Sequence, residues 1–301
     1  MTAVPLFTSI PPSMSRKDEG GREIGPAYQE ACIRSWIAAG FNPYSVNGPG
    51  DVVPFPDLVE VIRVPRTAKE MHGKSVVFIA DMFAAANAVS TGPALITNAD
   101  ILLRPTFDLA GLAATLPEDG AAIAHRIDVA RVDSTTGTPE YAGFDVFIAH
   151  TSRLARLPEG GFAIGIPWWD YFVPMALRAG GVDVHLLAEP AAYHLMHDLN
   201  WDEGRWIGGG VRYAQLMAVL LKGNDNFRHH ADLAADAARK VTRAQSLAGI
   251  VAGSKSLSSL AGAAIEKAVR SPVRKALKKL SRDTISTINR DFSRHSMSVP
   301  T

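Results

Sequence analysis

The sequence predicts an α/β fold: a mixed, mostly parallel sheet flanked by helices, continued by a C-terminal helical extension. Three observations carry this. Strand-like and helix-like segments follow one another as strand, helix, strand, strand, helix, strand, an order whose crossovers build a helix-covered sheet. The apolar run Ala94–Leu103, suited to a buried strand, carries an amide at Asn98 and a carboxylate at Asp100. From residue 231 the composition shifts to Ala, Ser, Lys and Arg, with no aromatic side chain until Phe292. The expected domains are therefore 1–230 and 231–301.

The elements follow from local chemistry. Val4–Ile10 reads as a first strand, ended by Pro11-Pro12 because proline cannot donate to the ladder. Ser13–Gly25 is polar and loop-like. Gly25-Pro26 opens a helix with proline in its first turn. Tyr28, Cys32, Ile33, Trp36 and Ile37 recur at helical spacing, and Gly40 closes the helix. Short strands are expected at Pro43–Val46 and Val59–Val64, a buried helix at Val76–Val89, and one continuous strand at Ala94–Leu103. Beyond it, Phe107–Leu116, Pro167–Ala179 and Trp206–Lys222 read as helices. Ala121–Asp128, Phe144–His150 and Val182–Leu187 read as strands, and Pro190–His197 as extended. Ser271-Pro272 reads as a helix cap followed by proline at the first helical position.

Composition excludes several classes. The chain of 301 residues is 47% hydrophobic with a net charge of +1, so it is not a nucleic-acid binder by overall charge. The single cysteine, Cys32, excludes an internal disulfide and multi-cysteine zinc sites. No stretch reads as a secretory leader or a membrane span, and the expected location is cytoplasmic or peripheral on a membrane. The segment from Lys267 carries nine Lys or Arg against two Asp. It is either a solvated helical tail or a basic amphipathic helix that meets an anionic membrane or a partner. Walker, dinucleotide-fingerprint and Gly-X-Ser-X-Gly patterns are absent.

An ionised carboxylate in an apolar run is costly without a partner, so Asp100 should lie at a strand end against a metal ion, a cluster of backbone N–H groups or a basic side chain. Ligands of open α/β sheets bind outside the carboxyl ends of strands. Asn98 and Asp100 either cap local N–H groups there or hold a divalent cation.

Thr97-Asn98-Ala99-Asp100-Ile101-Leu102 resembles the Asn-Ala-Asp variant of the Asp-X-Asp motif in GT-A-fold nucleotide-sugar glycosyltransferases. Leu6–Ile10, the helix with Gln29 and Ser35-Trp36, Tyr44–Asn47, Gly143–Phe147 and Pro167–Tyr171 are similar to successive parts of that fold, over roughly Val4 to Asp202. The resemblance implies a GT-A-like sheet, a nucleotide-sugar donor, a hydroxyl acceptor such as a carbohydrate, and Mn²⁺ or Mg²⁺. By position it puts Asp100 on the metal, the main chain at Ala99 on the donor, and Thr8 and Asn47 beside the base. Asn98 departs from the usual acid and brings no charge to a metal.

The remaining candidates have two readings each. Asp170 is a helix-start carboxylate, or the base of an inverting transfer. Trp168 and Trp169 stack on an acceptor or belong to the core. Asp145 binds a hydroxyl or pairs with Arg126. His194 or His197 completes the metal shell, His197 being favoured. His125 and His185 are expected in the core or at an edge, His229-His230 exposed. Arg16, Lys17 and Arg22 lie in a loop that is either solvated or a lid over a diphosphate. The expected function is glycosyl transfer in surface polysaccharide or glycan synthesis. The alternatives are a binding or assembly module docked through the basic tail and, disfavoured because no glycine- and lysine-rich signature lies near the first strand, a sugar nucleotidyltransferase on a related sheet.

Overall fold

The structure is a computed structural model that describes residues 3–197, 203–252, 262–292 and 294–295. The chain forms two compact units, Met1–Asn200 with Ile288–Thr301, and Trp201–Thr287.

The first unit is a mixed α/β sheet. It opens with β1 (Val4–Thr8), α1 (Gly25–Ala38), β2 (Phe41–Asn47) and β3 (Glu60–Arg63). Pro26 starts α1 in a position that needs no N–H partner, and Tyr28, Cys32, Ile33 and Trp36 bury one stripe of it. The backbone then reaches φ 88° at Gly40, a left-handed value glycine accepts without strain. The short α2 (Lys69–His72) and α3 (Ile79–Val89) follow, the latter starting later than Val76 because 76–78 run extended, Phe78 bridging to Ala163.

The expected single strand at 94–103 is two. β4 (Pro93–Thr97) ends at the turn Asn98-Ala99-Asp100, and β5 (Ile101–Leu103) starts after it. β4 lies between β1, to which it is parallel, and β7, to which it is antiparallel, whereas β5 pairs antiparallel with β9. The two halves thus serve different ladders, and the polar residues occupy the corner between them.

The unit continues through α4 (Leu109–Ala114), β6 (Gly120–Val129), β7 (Thr138–His150), α5 (Thr151–Leu154), α6 (Trp169–Ala179), β8 (Asp183–Leu187) and β9 (Ala192–Leu195). The sheet order β8-β6-β7-β4-β1-β2-β3 combines the parallel block β4-β1-β2-β3 with the antiparallel strand β7. β6 divides its edge: Gly120–Ile123 pair with β8, and Arg126–Val129 pair with β9. Its irregular register around His125 separates the two stretches.

The chain leaves β1 toward β2 on one side and returns to β4 on the other. Between β1 and β4 lies a topological switch point, where the carboxyl ends of parallel strands leave a crevice. The core below it holds Leu6, Trp36, Leu95, Ile101, Val146 and Ile148. Trp36 is fully buried and donates Nε1–H to the carbonyl of Ile101 at 2.7 Å, tying α1 to β5.

The second unit is helical, with α7 (Glu203–Leu220), α8 (Arg228–Ala252) and α9 (Gly262–Asp291), whose residues from Ile288 belong to the first unit. β10 (Arg294–His295) then joins β8 in parallel. Gly208-Gly209-Gly210 lie inside α7. His230 is buried, not exposed as expected: Asp283 Oδ2 lies 2.7 Å from Nδ1 and Tyr213 Oη 3.0 Å from Nε2. Ser271-Pro272 also differs from expectation, because α9 already runs from Gly262 and contains Pro272. Val273, Ala276, Leu277 and Leu280 are buried, while Arg274, Lys275, Lys278, Lys279 and Arg282 are exposed. Among the described residues, the apolar stripe of this helix from Val273 to Leu280 is therefore covered by the protein. No helix among the described residues is long and apolar enough to cross a membrane.

Candidate metal and anion site

Asp100 finds basic side chains. Arg16 Nη2 donates to its Oδ2 at 2.6 Å, and the same oxygen faces His194 Nε2 at 3.5 Å and His197 Nε2 at 3.9 Å. The strands explain the meeting. His194 is the register partner of Ile101 on one side and of Asp128 on the other. Tyr28 from α1 then locks the corner, donating its hydroxyl to the Asp100 carbonyl at 2.7 Å and accepting the Leu195 N–H at 2.9 Å.

Asp128 fixes the imidazole. Its Oδ1 lies 3.0 Å from His194 Nδ1, which directs Nε2 to the Asp100 oxygen. Burial pulls the Asp100 carboxyl upward, but the hydrogen bond and charge of His194, with Arg16 and His197, hold it well below the ordinary carboxylate range. For His194, burial disfavours the charged ring, and hydrogen bonds to Asp100 and Asp128 outweigh this and raise its pKa to about 9.

Asp100, His194 and His197 each offer one ligand atom, all within 4.8 Å of one another, a group that could hold a metal ion. Two imidazoles and a carboxylate suit a borderline ion such as Zn²⁺ best, and among the hard ions Mn²⁺, which binds nitrogen more strongly than Mg²⁺ does. The Asp128–His194 pair supplies the orienting carboxylate common behind metal-bound histidines. The donor chemistry therefore fits. Asn98 lies outside this group: its Nδ2 donates to Asp145 Oδ1, and its buried Oδ1 finds no protein partner.

Asp145 lies in a second cluster. Arg126 Nη1 meets its Oδ2 at 3.0 Å, and Arg126 Nε meets Asp128 Oδ1 at 2.9 Å. Of the two readings of Asp145, the structure shows the ion pair with Arg126. The groups form an alternating chain, Asp145–Arg126–Asp128–His194–Asp100–Arg16. Asp170 opens α6, and burial followed by the charge of Asp145 raises its carboxyl to about 7, although the N–H groups of Asp170 and Tyr171 pull the other way.

Trp168 and Trp169 are both buried, so neither presents a free face to an acceptor. Trp169 packs on Phe147 with ring centroids 4.9 Å apart, and Trp168 meets Tyr171 edge-on at 5.6 Å. The bulky Trp168 adopts φ 83°, a strained value immediately before α6. Asn47 is spent within the protein: Ser45 Oγ donates to its Oδ1 at 2.6 Å, and its Nδ2 donates to the Ile10 carbonyl at 2.9 Å. Thr8 ends β1 fully buried, its Oγ1 without a protein partner. Ala99 occupies the turn between β4 and β5. Cys32 is a buried core thiol.

The loop after β1 is built rather than merely solvated. Glu23 accepts from the N–H groups of Arg16 (2.8 Å) and Gly25 (2.7 Å) and from Ser15 Oγ (2.6 Å), which lower its carboxyl to about 2. At Gly25 a Cβ would lie 1.8 Å from the Met14 carbonyl oxygen, so the loop sits directly on the start of α1. Lys17 and Arg22 are exposed, Arg22 pairing with Asp18 at 3.1 Å. Sequence reasoning missed Asp128 and Tyr28. Asp128 had a signal, an acid closing an apolar strand as Asp100 does. Tyr28 had none, since it follows the core stripe of its helix.

No family model and no curated protein matches the chain. Among solved structures, the chain is similar to HddC from Yersinia pseudotuberculosis complexed with GMP-PN at 8% identity and TM-score 0.33, covering 65% of this chain and 90% of that one. A second HddC structure gives 9% identity, TM-score 0.34, and 64% and 89% coverage. The inositol-1-phosphate CTP transferase from T. maritima gives 14% identity, TM-score 0.38, and 73% and 98% coverage. Likeness at this level transfers no residue roles. These structures are described as a GMP-PN complex and a CTP transferase, none as a glycosyltransferase. The expected glycosyl transfer, with Asp170 as its inverting base, is accordingly not carried forward.

Proposed function

We propose that this chain is a metal-assisted nucleotidyltransferase, which moves a nucleoside monophosphate from a nucleoside triphosphate to a phosphorylated acceptor. The observation that carries the reading is the single Asp100 oxygen shared by Arg16, His194 and His197 beside the β1/β4 switch point. Cationic and metal-binding groups converge there as phosphate chemistry requires. An acceptor phosphate oxygen attacks the α-phosphorus, and the bond to the β-phosphate oxygen breaks to release pyrophosphate.

Asp100, His194 and His197 would hold the divalent ion, with Asp128 keeping His194 in the ligating tautomer. When bound, the ion supplies positive charge to the phosphate oxygens. Arg16 supplies an always-charged organic cation, matched in shape to phosphate. Thr8 and the Ala99 main chain, at the ends of β1 and β4, border the nucleotide. Asp170, titrating near 7, takes up a proton from the acceptor. The product of such transfer to a sugar phosphate is itself a nucleotide sugar. A salt-sensitive contact of the cationic face of α9 with an anionic membrane belongs to the same reading.

The test is calorimetric titration with GTP and CTP, with and without Mn²⁺, joined to an assay of pyrophosphate release with sugar 1-phosphates. Mn²⁺-dependent binding that D100N abolishes is the expected result. Nucleotide affinity indifferent both to Mn²⁺ and to D100N would overturn the assignment.

A further inference from the structure

We propose that Arg16 occupies the cation position at Asp100 in the free protein and exchanges it for a phosphate when a metal-bearing nucleotide enters, which selects nucleotides with at least two phosphates. The inference rests on the reading of Asp100, His194 and His197 as the metal site and adds the rule by which that site is loaded.

The first argument is competition for one atom. The Arg16 guanidinium lies 2.6 Å from Asp100 Oδ2, the oxygen toward which both imidazoles point. A divalent ion held by that oxygen would sit about 2.0–2.2 Å from it. Ion and guanidinium would then be near neighbours of like charge around one carboxylate. Metal binding to the free protein therefore works against Arg16.

The second argument is an incomplete set of hydrogen bonds. Nη2 is spent on Asp100 and Nη1 on the Ser15 carbonyl at 2.8 Å, while the buried Nε finds no protein partner. A guanidinium is best satisfied by a bidentate anion that takes Nε and Nη2 together. Asp100 takes one point of that fork, and a phosphate takes both. Arg16 thus gains a donor's worth of bonding when it leaves the carboxylate for a phosphate.

Arg16 is anchored by its backbone on both sides: its N–H donates to Glu23 Oε1 at 2.8 Å, and its carbonyl accepts from the Ile24 N–H at 2.7 Å. The exchange is therefore a swing of the side chain from a fixed main chain. One phosphate lies on the metal and a second on Arg16, so a monophosphate engages only one of the two.

Opposite changes in two affinities test this. With circular dichroism as a check on folding, R16A and the neutral R16Q are titrated with Mn²⁺ alone, followed by electron paramagnetic resonance of free Mn²⁺. They are then titrated with GTP, CTP and GMP in saturating Mn²⁺. Both variants are expected to bind Mn²⁺ several-fold more tightly than the natural chain. They should bind the triphosphates about tenfold or more weakly, the scale of one lost charge-assisted contact, and GMP with little change. Weaker or unchanged Mn²⁺ binding in both variants, with the natural chain binding Mn²⁺, overturns the exchange and leaves the metal site standing. Equal losses for GMP and the triphosphates overturn the two-phosphate rule. Absence of Mn²⁺ binding in every folded protein overturns the metal site and the exchange together.

Discussion

Asp100 and Asp170 are both acids set in apolar surroundings of the same unit, and their neighbours drive them in opposite directions. Asp100 is ringed by Arg16, His194 and His197, and its carboxyl falls below the ordinary range despite burial. Asp170 is half-buried near Asp145, whose charge is already claimed by Arg126, and its carboxyl rises to about 7. One corner is a permanent anion that collects cations. The other changes charge near neutrality. The difference lies in what brings partners to each acid: β9 delivers His194, and the residues just after it His197, to Asp100, and β7 delivers a second carboxylate near Asp170.

The strongest way to break this contrast is to neutralise the first corner. D100N is expected to abolish Mn²⁺ binding and to cost about 1–3 kcal/mol of stability, because it leaves the buried Arg16 without its anion, while Asp128 still faces His194. Urea denaturation beside Mn²⁺ titration reads both, and a variant as stable as the natural chain would show that the ring of cations is not held by Asp100. D128N keeps a hydrogen-bonding group at the same place yet removes the orienting charge. A loss of about 10–100-fold in Mn²⁺ affinity is expected, with the fold intact by circular dichroism.

The second corner is sharpened by pH. The pKa of Asp170 rises on folding from 3.8 to about 7. Its contribution to stability is therefore fully present below 3.8 and is lost as the pH rises through about 7. Asp100 has the reverse sign, its contribution being present above 3.8 and lost as the pH falls through its lower folded value. D170N should thus melt at a higher temperature than the natural chain at pH 8 and show no such gain at pH 4, as differential scanning calorimetry would record. An equal gain at both values would mean that Asp170 is not held up by its surroundings. The smallest effect is expected far from either corner. Replacing Lys275, Lys278 and Lys279 together by Ser should lower low-salt sedimentation with anionic vesicles and leave nucleotide binding unchanged.

Periodic segments were legible from the residues. β1, α1 and α3 follow from apolar spacing, proline and glycine, and their boundaries move by only a few residues. The division of 94–103 was not legible, because both halves are apolar and the turn between them contains neither glycine nor proline. Only the pairing of β5 with β9 reveals it. Asp100, His194 and His197 were readable as candidates, since acids and imidazoles in apolar runs need partners. Their convergence depends on a register between β5, β9 and β6 that no local pattern encodes. The tryptophans misled because an aromatic pair before a helix looks alike whether it lines a cleft or fills a core. Ser271-Pro272 misled because an earlier helical start outweighed a favourable cap.

The Tyr28 hydroxyl that fastens the Asp100 turn to Leu195 also sets a timetable for synthesis. That bond joins residues 167 positions apart, and Arg16 and Asp100 are 84 apart. Contacts so distant along the chain form late. As the polypeptide emerges from its N-terminus, the parallel strands can assemble and Asp100 can meet Arg16 well before either histidine exists. A growing chain therefore offers no complete ligand set to capture a stray ion. The candidate ligand set is completed only after His194 and His197 have emerged and β9 has paired with β5 and β6.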